Sequence, residues 1–155
     1  MKLQELTEKY DLNLDLIKAF FLGVLNSKKP MKFEVALKEL LEEEPEAQKE
    51  LASELQVFWK ELESKKLVET QNLFQDGDLE LAKDKLDQFL TAMSLCGTHA
   101  ESVDEELSEL IDELEDTVED LDDFLSEDEQ PESEAEELKE FLFDTWKDFL
   151  ETKNF

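Results

Sequence analysis

Leu14-Asp15-Leu16-Ile17-Lys18-Ala19-Phe20-Phe21-Leu22-Gly23-Val24-Leu25 is apolar on most faces of a helix, with only Asp15 and Lys18 interrupting it. A helix with so little polar surface belongs at the centre of a core rather than on its rim. Asn13 or Asp11 stands where an N-cap is needed. The longest apolar run, Ala19 to Leu25, is seven residues, against about 20 for a bilayer span. The stretch therefore predicts a buried helix in an all-α protein.

Working outward, the rest of the chain agrees. Gly and Pro number three each in 155 residues, too few for the turns that an all-β chain requires. Asn26 to Pro30 reads as a turn, followed by a short helix with Phe33, Leu37, Leu40 and Leu41 on one side. Pro45 suits the first turn of the next helix, along which Ala47, Leu51, Leu55, Phe58 and Leu62 recur, with Trp59 beside the stripe. After a break at Gln75-Asp76-Gly77-Asp78, a helix over residues 79–95 buries Leu79, Ala82, Leu86, Phe89, Leu90 and Met93, and Cys96-Gly97 ends it. Ser102-Val103-Asp104-Glu105 and Ser133-Glu134-Ala135-Glu136 match capping boxes that open two further helices. The last helix carries Leu138, Phe141, Leu142, Trp146, Phe149 and Leu150. The expectation is a single compact all-α domain of about six helices over residues 1–155, with an acidic loop near 127–132. Eleven Phe and two Trp supply its core, which needs no disulfide at this length.

Charge is the second decisive feature. The formal net charge is −28. Residues 1–100 carry 20 acids and 13 Lys, whereas residues 101–155 carry 24 acids and 3 Lys; Arg is absent. Bidentate clamps on phosphate are thereby missing, and phosphate backbones and anionic membranes repel such a chain. Direct nucleic-acid or membrane binding is not expected. One Cys, Cys96, excludes an internal disulfide and suits a reducing compartment. Early acids (Glu5, Glu8, Asp11, Asp15) break up any export leader, so a cytoplasmic protein is expected.

The acids are concentrated on one helix, predicted from Val103 to Leu125. Leu107, Ile111, Leu114, Val118, Leu121 and Leu125 alternate by four and three, a heptad seam. Glu109, Asp112, Glu113, Asp116, Glu119, Asp120 and Asp123 take the outer positions. The seam must be buried, either on the protein's own core or in a coiled-coil dimer, leaving monomer and homodimer both open. Residues 104–123 hold twelve acids and no base, about one charge per 2.5 Å of helix. That falls between the spacings of single-stranded and duplex nucleic acid, about 3.4 and 1.7 Å. The face can therefore serve as a dock for a basic protein surface, as a nucleic-acid mimic, or merely as a solvated face that keeps the chain dissolved.

An internal echo links two segments. In Phe20-Phe21-Leu22-Gly23 and Phe89-Leu90-Thr91-Ala92 a small residue follows a Phe by three positions, which lets two helices approach closely. It suggests two loosely repeated halves. With Leu16 to Leu25 and Gln88-Phe89-Leu90-Thr91-Ala92-Met93-Ser94-Leu95, followed by an acidic amphipathic helix, an acidic spacer and a closing helix, the chain resembles the YgfB-like (YecA-related) family of bacterial proteins. It departs from that family in having Lys18-Ala19 where members often carry His-Gly before the first Phe. It also has no counterpart of the Cys-rich metal-binding tail of longer YecA-type relatives. The resemblance implies an all-α fold, a bacterial cytosolic protein and no assigned catalytic residues.

Other chemistry finds little support in the residues. Asp76-Gly77-Asp78-Leu79-Glu80 resembles a calcium loop but lacks EF-hand spacing. Cys96 and His99 are two ligands, not a zinc site, and do not by themselves make a catalytic pair. No phosphate loop, nucleophile elbow or H-E-x-x-H occurs. Phe143 and Phe155, off the main stripe, are candidates for a small exposed apolar patch. No catalytic residue, metal or cofactor is expected. The function expected is that of a non-enzymatic interaction protein whose seven outer acids meet a basic surface, such as that of a nucleic-acid-binding regulator. A nucleic-acid-mimic inhibitor is the alternative, and a carboxylate-based enzyme stands third.

Overall fold

Residues 3–75 and 77–153 are described by a computed structural model, and they form eight α-helices with no strand among them. These are α1 (Leu3–Lys9), α2 (Leu14–Leu25), α3 (Phe33–Leu40), α4 (Pro45–Ser64), α5 (Lys66–Gln71), α6 (Leu79–Leu95), α7 (Glu105–Leu125) and α8 (Glu132–Thr152). A short 3-10 turn, Ala100–Ser102, precedes α7.

The chain is all-helical as expected, but two helices more than the six foreseen are present. Both additions are short. α1 buries Leu6 and Thr7 and is tied to α4 by Glu50, whose carboxylate accepts from the Lys9 ammonium at 2.9 Å and from the Tyr10 hydroxyl. These two donors hold the Glu50 carboxyl below its ordinary range, Tyr10 foremost. α5 buries only Thr70, which joins three parts of the molecule. Its hydroxyl accepts from Asn26 Nδ2 at 3.0 Å and its carbonyl accepts from Trp146 Nε1 at 2.9 Å.

α2 is the centre of the core. Ala19, Phe21, Leu22 and Val24 are fully enclosed, and α2 packs along α6 while also meeting α3, α4 and α5. Asn13, not Asp11, is the cap, its Oδ1 accepting from the Asp15 amide at 2.9 Å. The echo has a structural basis at the α2–α6 crossing. A Cβ placed on Gly23 would lie 2.4 Å from the Phe89 carbonyl oxygen and 2.8 Å from Ala92 Cβ. The two small residues of the echo thus face each other, and only Gly permits this approach of the backbones.

Aromatic clusters lie on both sides of the crossing. Phe21, from α2, meets Phe33 and Trp59 edge-on at centroid distances of 6.1 and 5.1 Å. Phe89, from α6, meets Trp146 at 4.8 Å, and Trp146 also takes Phe74 edge-on at 4.8 Å. Edge-to-face pairs of this kind contribute about 0.5–1.5 kcal/mol each beyond area burial. Within α4 the core position belongs to Trp59, while Phe58 is only half-buried. Position 58 falls inside the arc set by 47, 51, 55 and 62 and position 59 just beyond its edge, so helical angle alone does not select Trp59.

Several local expectations are corrected. Neither capping box forms. α7 is capped by Asp104, whose Oδ1 accepts from the Leu107 amide at 3.0 Å. Ser102 instead closes the preceding turn, accepting from the His99 amide at 2.9 Å and donating to the His99 carbonyl at 2.8 Å. α8 begins at Glu132 behind Pro131, which places Ser133 inside the helix. Phe141 is exposed, and Leu79, Leu90, Leu138 and Leu40 are only partly buried. On α8 the enclosed residues are Leu142, Thr145, Trp146 and Phe149. The end of α6 matches its sequence signal. Gly97 takes a φ of 77°, and the Gly97 and Thr98 amides donate to the Ser94 and Met93 carbonyls at 2.9 and 2.8 Å, the Schellman pattern.

Candidate interaction face on the seventh helix

α7 lies against α6 and α8. It buries Leu107, Ile111, Leu114, Thr117, Leu121 and Phe124. Thr117 and Phe124 replace Val118 and Leu125 of the predicted seam, both of which are half-buried. The Thr117 hydroxyl is neutralised within the helix by donating to the Glu113 carbonyl at 2.7 Å. The seam thus packs on the protein's own core, so it is not the seam of a coiled-coil dimer.

The opposite side carries the charge. Glu109, Asp112, Glu113, Asp116, Glu119, Asp120 and Asp123 are all exposed. At 3.6 residues per turn they fall within an arc of about 120°, and from 109 to 123 the strip is about 21 Å long. Among the described residues no ion pair reaches any of the seven. None of them converges with another helix in a cleft, and each points outward from the one helix.

Some acids of the twelve counted from sequence are otherwise engaged. Asp104 caps α7. Asp122 pairs across to α6, its Oδ1 lying 3.2 Å from Lys83 Nζ, and this contact is the main cause of a raised Lys83 pKa. Glu115 stands at the flank of the strip. Partial burial, with the charges of Asp112 and Asp116, raises its carboxyl pKa, while His99 opposes the rise. The strip that faces solvent is therefore narrower and less dense than the count suggested, about one charge per 3 Å over its length.

The remaining candidates are dispersed. Cys96 caps α6 and is half-buried, and His99 sits in the following loop. Among the described residues no group of three or more His, Cys, Asp or Glu side chains gathers as a metal site. Asp78 is occupied as the α6 cap, its Oδ1 accepting from the Leu81 amide at 2.9 Å; Asp76 lies outside the described residues. Phe143 is exposed as read from sequence, and its proposed companion Phe155 also lies outside the described residues. Among the described residues no helix is long and apolar enough to cross a membrane.

Sequence reasoning missed the Lys83–Asp122 pair, because two helices of unknown register contribute to it. It also missed the exposure of Leu67 and Val68 on α5. There the signal was present, since Lys65 and Lys66 precede the two apolar residues and the positions three and four residues on, Thr70, Gln71 and Asn72, are all polar.

No protein-family model, curated protein or solved structure matches the chain. The YgfB-like resemblance therefore rests on the residues that carry it.

Proposed function

We propose that this is a non-enzymatic interaction protein that binds a basic protein surface through the outer face of α7. The observation that carries this reading is the strip of seven exposed carboxylates. It is unpaired among the described residues and held rigid because the reverse side of the same helix is core. A rigid single-sign strip attracts and orients a surface of opposite charge. A nucleic-acid-binding regulator is the partner class whose surface is basic by necessity. The order of helices suits membership of the YgfB-like family and a bacterial cytosolic setting, which belong to the same proposal, as does action as a monomer or homodimer.

The test is capture from bacterial lysate with the intact protein and with a variant carrying Asp112→Lys, Asp116→Lys, Glu119→Lys and Asp123→Lys. A control variant reverses Glu42, Glu43, Glu54 and Glu63, which are exposed elsewhere, and so has the same net charge. The reading expects a protein retained by wild type and control, lost by the α7 variant, and released as salt shortens the screening length to a few ångströms. Equal loss in both variants would reduce the face to a share of bulk charge. Displacement of the captured protein by duplex DNA would favour the mimic alternative.

A further inference from the structure

Phe141 belongs by spacing to the apolar stripe of α8, yet it is 48% exposed, the most open aromatic ring among the described residues. Its surroundings follow from the packing of α8. At 3.6 residues per turn Leu138, Phe141 and Thr145 share one flank of the helix, and Phe143, Lys147 and Leu150 the other. The second flank faces α5, where Phe143, Lys147 and Leu150 line a groove with Leu67. The first holds the buried Thr145 and the half-buried Leu138, and α7 is the helix against which α8 chiefly packs. Phe141 therefore stands on the rim of the α7–α8 seam. The two helices are joined by residues 126–131 alone, so they run antiparallel, and Ala135 shares a hollow with Phe124 and Leu125. Counting onward from Ala135 and back from Phe124 and Leu125 sets Phe141 level with residues 118 and 119. On the flank of α7 that carries the buried Thr117 and Phe124, the exposed acids on either side of that level are Glu113 and Asp120.

Every charged residue that the helical period places on this rim is negative. Glu113 and Asp120 border it from α7, and Glu134, Glu137 and Asp148 from α8; all five are exposed. The cations of the region are turned elsewhere. Lys139 lies over the Phe143 ring and Lys147 lines the α5 groove, both away from Phe141. Lys153 lies near Lys66. Lys83 and His99 act on Asp122 and Glu115, on the side of α7 that faces α6.

We propose that this rim is the anchor point of the α7 interaction face, and that it takes an arginine of a basic protein segment. The guanidinium lies on the Phe141 ring while carboxylates of the two helices accept its N–H groups. The inference rests on the reading of α7 as a docking face and names the side chain that the face selects. Arginine is favoured over lysine because a planar guanidinium stacks on an aromatic face and still points its donors, in plane, at carboxylates. The ammonium of lysine is a compact, strongly hydrated point charge that does not combine the two contacts. A second copy of this chain is not the source of that arginine, since the sequence contains none. Phosphate backbones and anionic membranes are repelled by the same carboxylates.

The test uses the full chain and two synthetic helical peptides of equal length and charge. One has Arg and the other Lys at every third or fourth position, with Ala between. Amide shifts are followed by NMR as each peptide is added. The expected result is movement at Phe141, Glu113 and Asp120, with the Arg peptide bound about two- to fivefold more tightly than the Lys peptide. Phe141→Leu should remove that preference, whereas Phe141→Tyr, which keeps the ring, should retain it. The inference is overturned if wild type binds the two peptides equally, or if Phe141→Leu keeps the preference for Arg. In either case the reading of α7 stands as long as both peptides lose binding when Asp112, Asp116, Glu119 and Asp123 are all replaced by Lys. If neither peptide binds wild type at millimolar concentration, or if that fourfold variant binds both unchanged, the reading of α7 itself fails and this inference with it.

Discussion

Replacing Asp116 with Lys reverses the charge at the middle of the α7 strip, where Asp112 and Asp120 stand one turn away on either side. Two i,i+4 repulsions become two attractions. A like-charge pair at this spacing destabilises by about 0.2–0.5 kcal/mol and an opposite pair stabilises by a similar amount, so two pairs together change stability by about 0.8–2 kcal/mol. At this chain length 1 kcal/mol moves Tm by about 2–4 °C, which places the expected rise at about 2–8 °C in low salt. Lys is also a better helix former than Asp. Asp116→Gln, close to Lys in propensity, therefore isolates the charge effect. The expected order of melting is Lys variant above Gln variant above wild type. The gap between the two variants should close near 1 M salt, where charges are screened within about 3 Å. Differential scanning calorimetry at low and high salt reads both quantities. If the Lys variant melts no higher than the Gln variant in low salt, the strip's carboxylates do not act on one another, and the reasoning from their crowding is wrong.

Gly23→Ala should destabilise by about 1–3 kcal/mol, the usual result of overpacking; an added Cβ meets the Phe89 carbonyl at 2.4 Å. The exposed-helix rule predicts a gain of about 1 kcal/mol for Gly to Ala, so the sign of the change in urea unfolding decides between them. Glu115→Gln should raise Tm at neutral pH, since the native carboxyl pKa stands above its ordinary value of 4.5 and the charged form is the one penalised. That advantage should fade as pH falls through the raised pKa and vanish below 4.5; a constant advantage in acid would contradict the assignment. Lys153 has the opposite course. Burial first and Lys66 second push its ammonium pKa down to about 8 from 10.5, so the unfolded chain holds the extra proton between those values. Stability should then climb as pH rises from about 8 towards 10.5, and denaturant titrations of Lys153→Met should lack that component of the climb.

The helices that position the strip were legible because their apolar residues repeat over three turns or more. α2, α6 and α7 needed no tertiary information to be placed. α5 was not legible because its single buried residue is Thr70, a polar one, while Leu67 and Val68 face water. Its existence depends on Asn26 and Trp146, 44 and 76 residues away from Thr70. Adjacent candidates defeat periodicity for a simpler reason. Phe58 and Trp59 both lie close to the stripe and both meet Phe21, and it is packing against Phe21 and Phe33 together that selects Trp59. The two capping boxes show competition between neighbours: Ser102 had the correct spacing, but Asp104, two residues on, is an equally good cap and sits nearer the first buried Leu. The seven outer acids followed from the seam by geometry alone. What Lys83 takes from the acidic side depends on how α6 and α7 lie against each other.

The crowding on α7 survives because burial outweighs it. Leu107, Ile111, Leu114, Leu121 and Phe124 are enclosed, and full burial of such side chains contributes about 1.5–3 kcal/mol each. The four i,i+4 acidic pairs within the strip (109–113, 112–116, 116–120 and 119–123) together oppose the helix by only about 1–2 kcal/mol. The helix stays in place, with the repulsion retained in its native state. A partner that lays cations along the strip removes that repulsion as well as forming its own contacts. The relief alone corresponds to a factor of about 5–30 in affinity. The same acids scattered over all eight helices would keep the chain equally charged but would offer a partner no such gain. Concentration on one rigid face is therefore the feature that net charge does not explain, and it makes the strip a stronger candidate for binding than the exposed acids elsewhere.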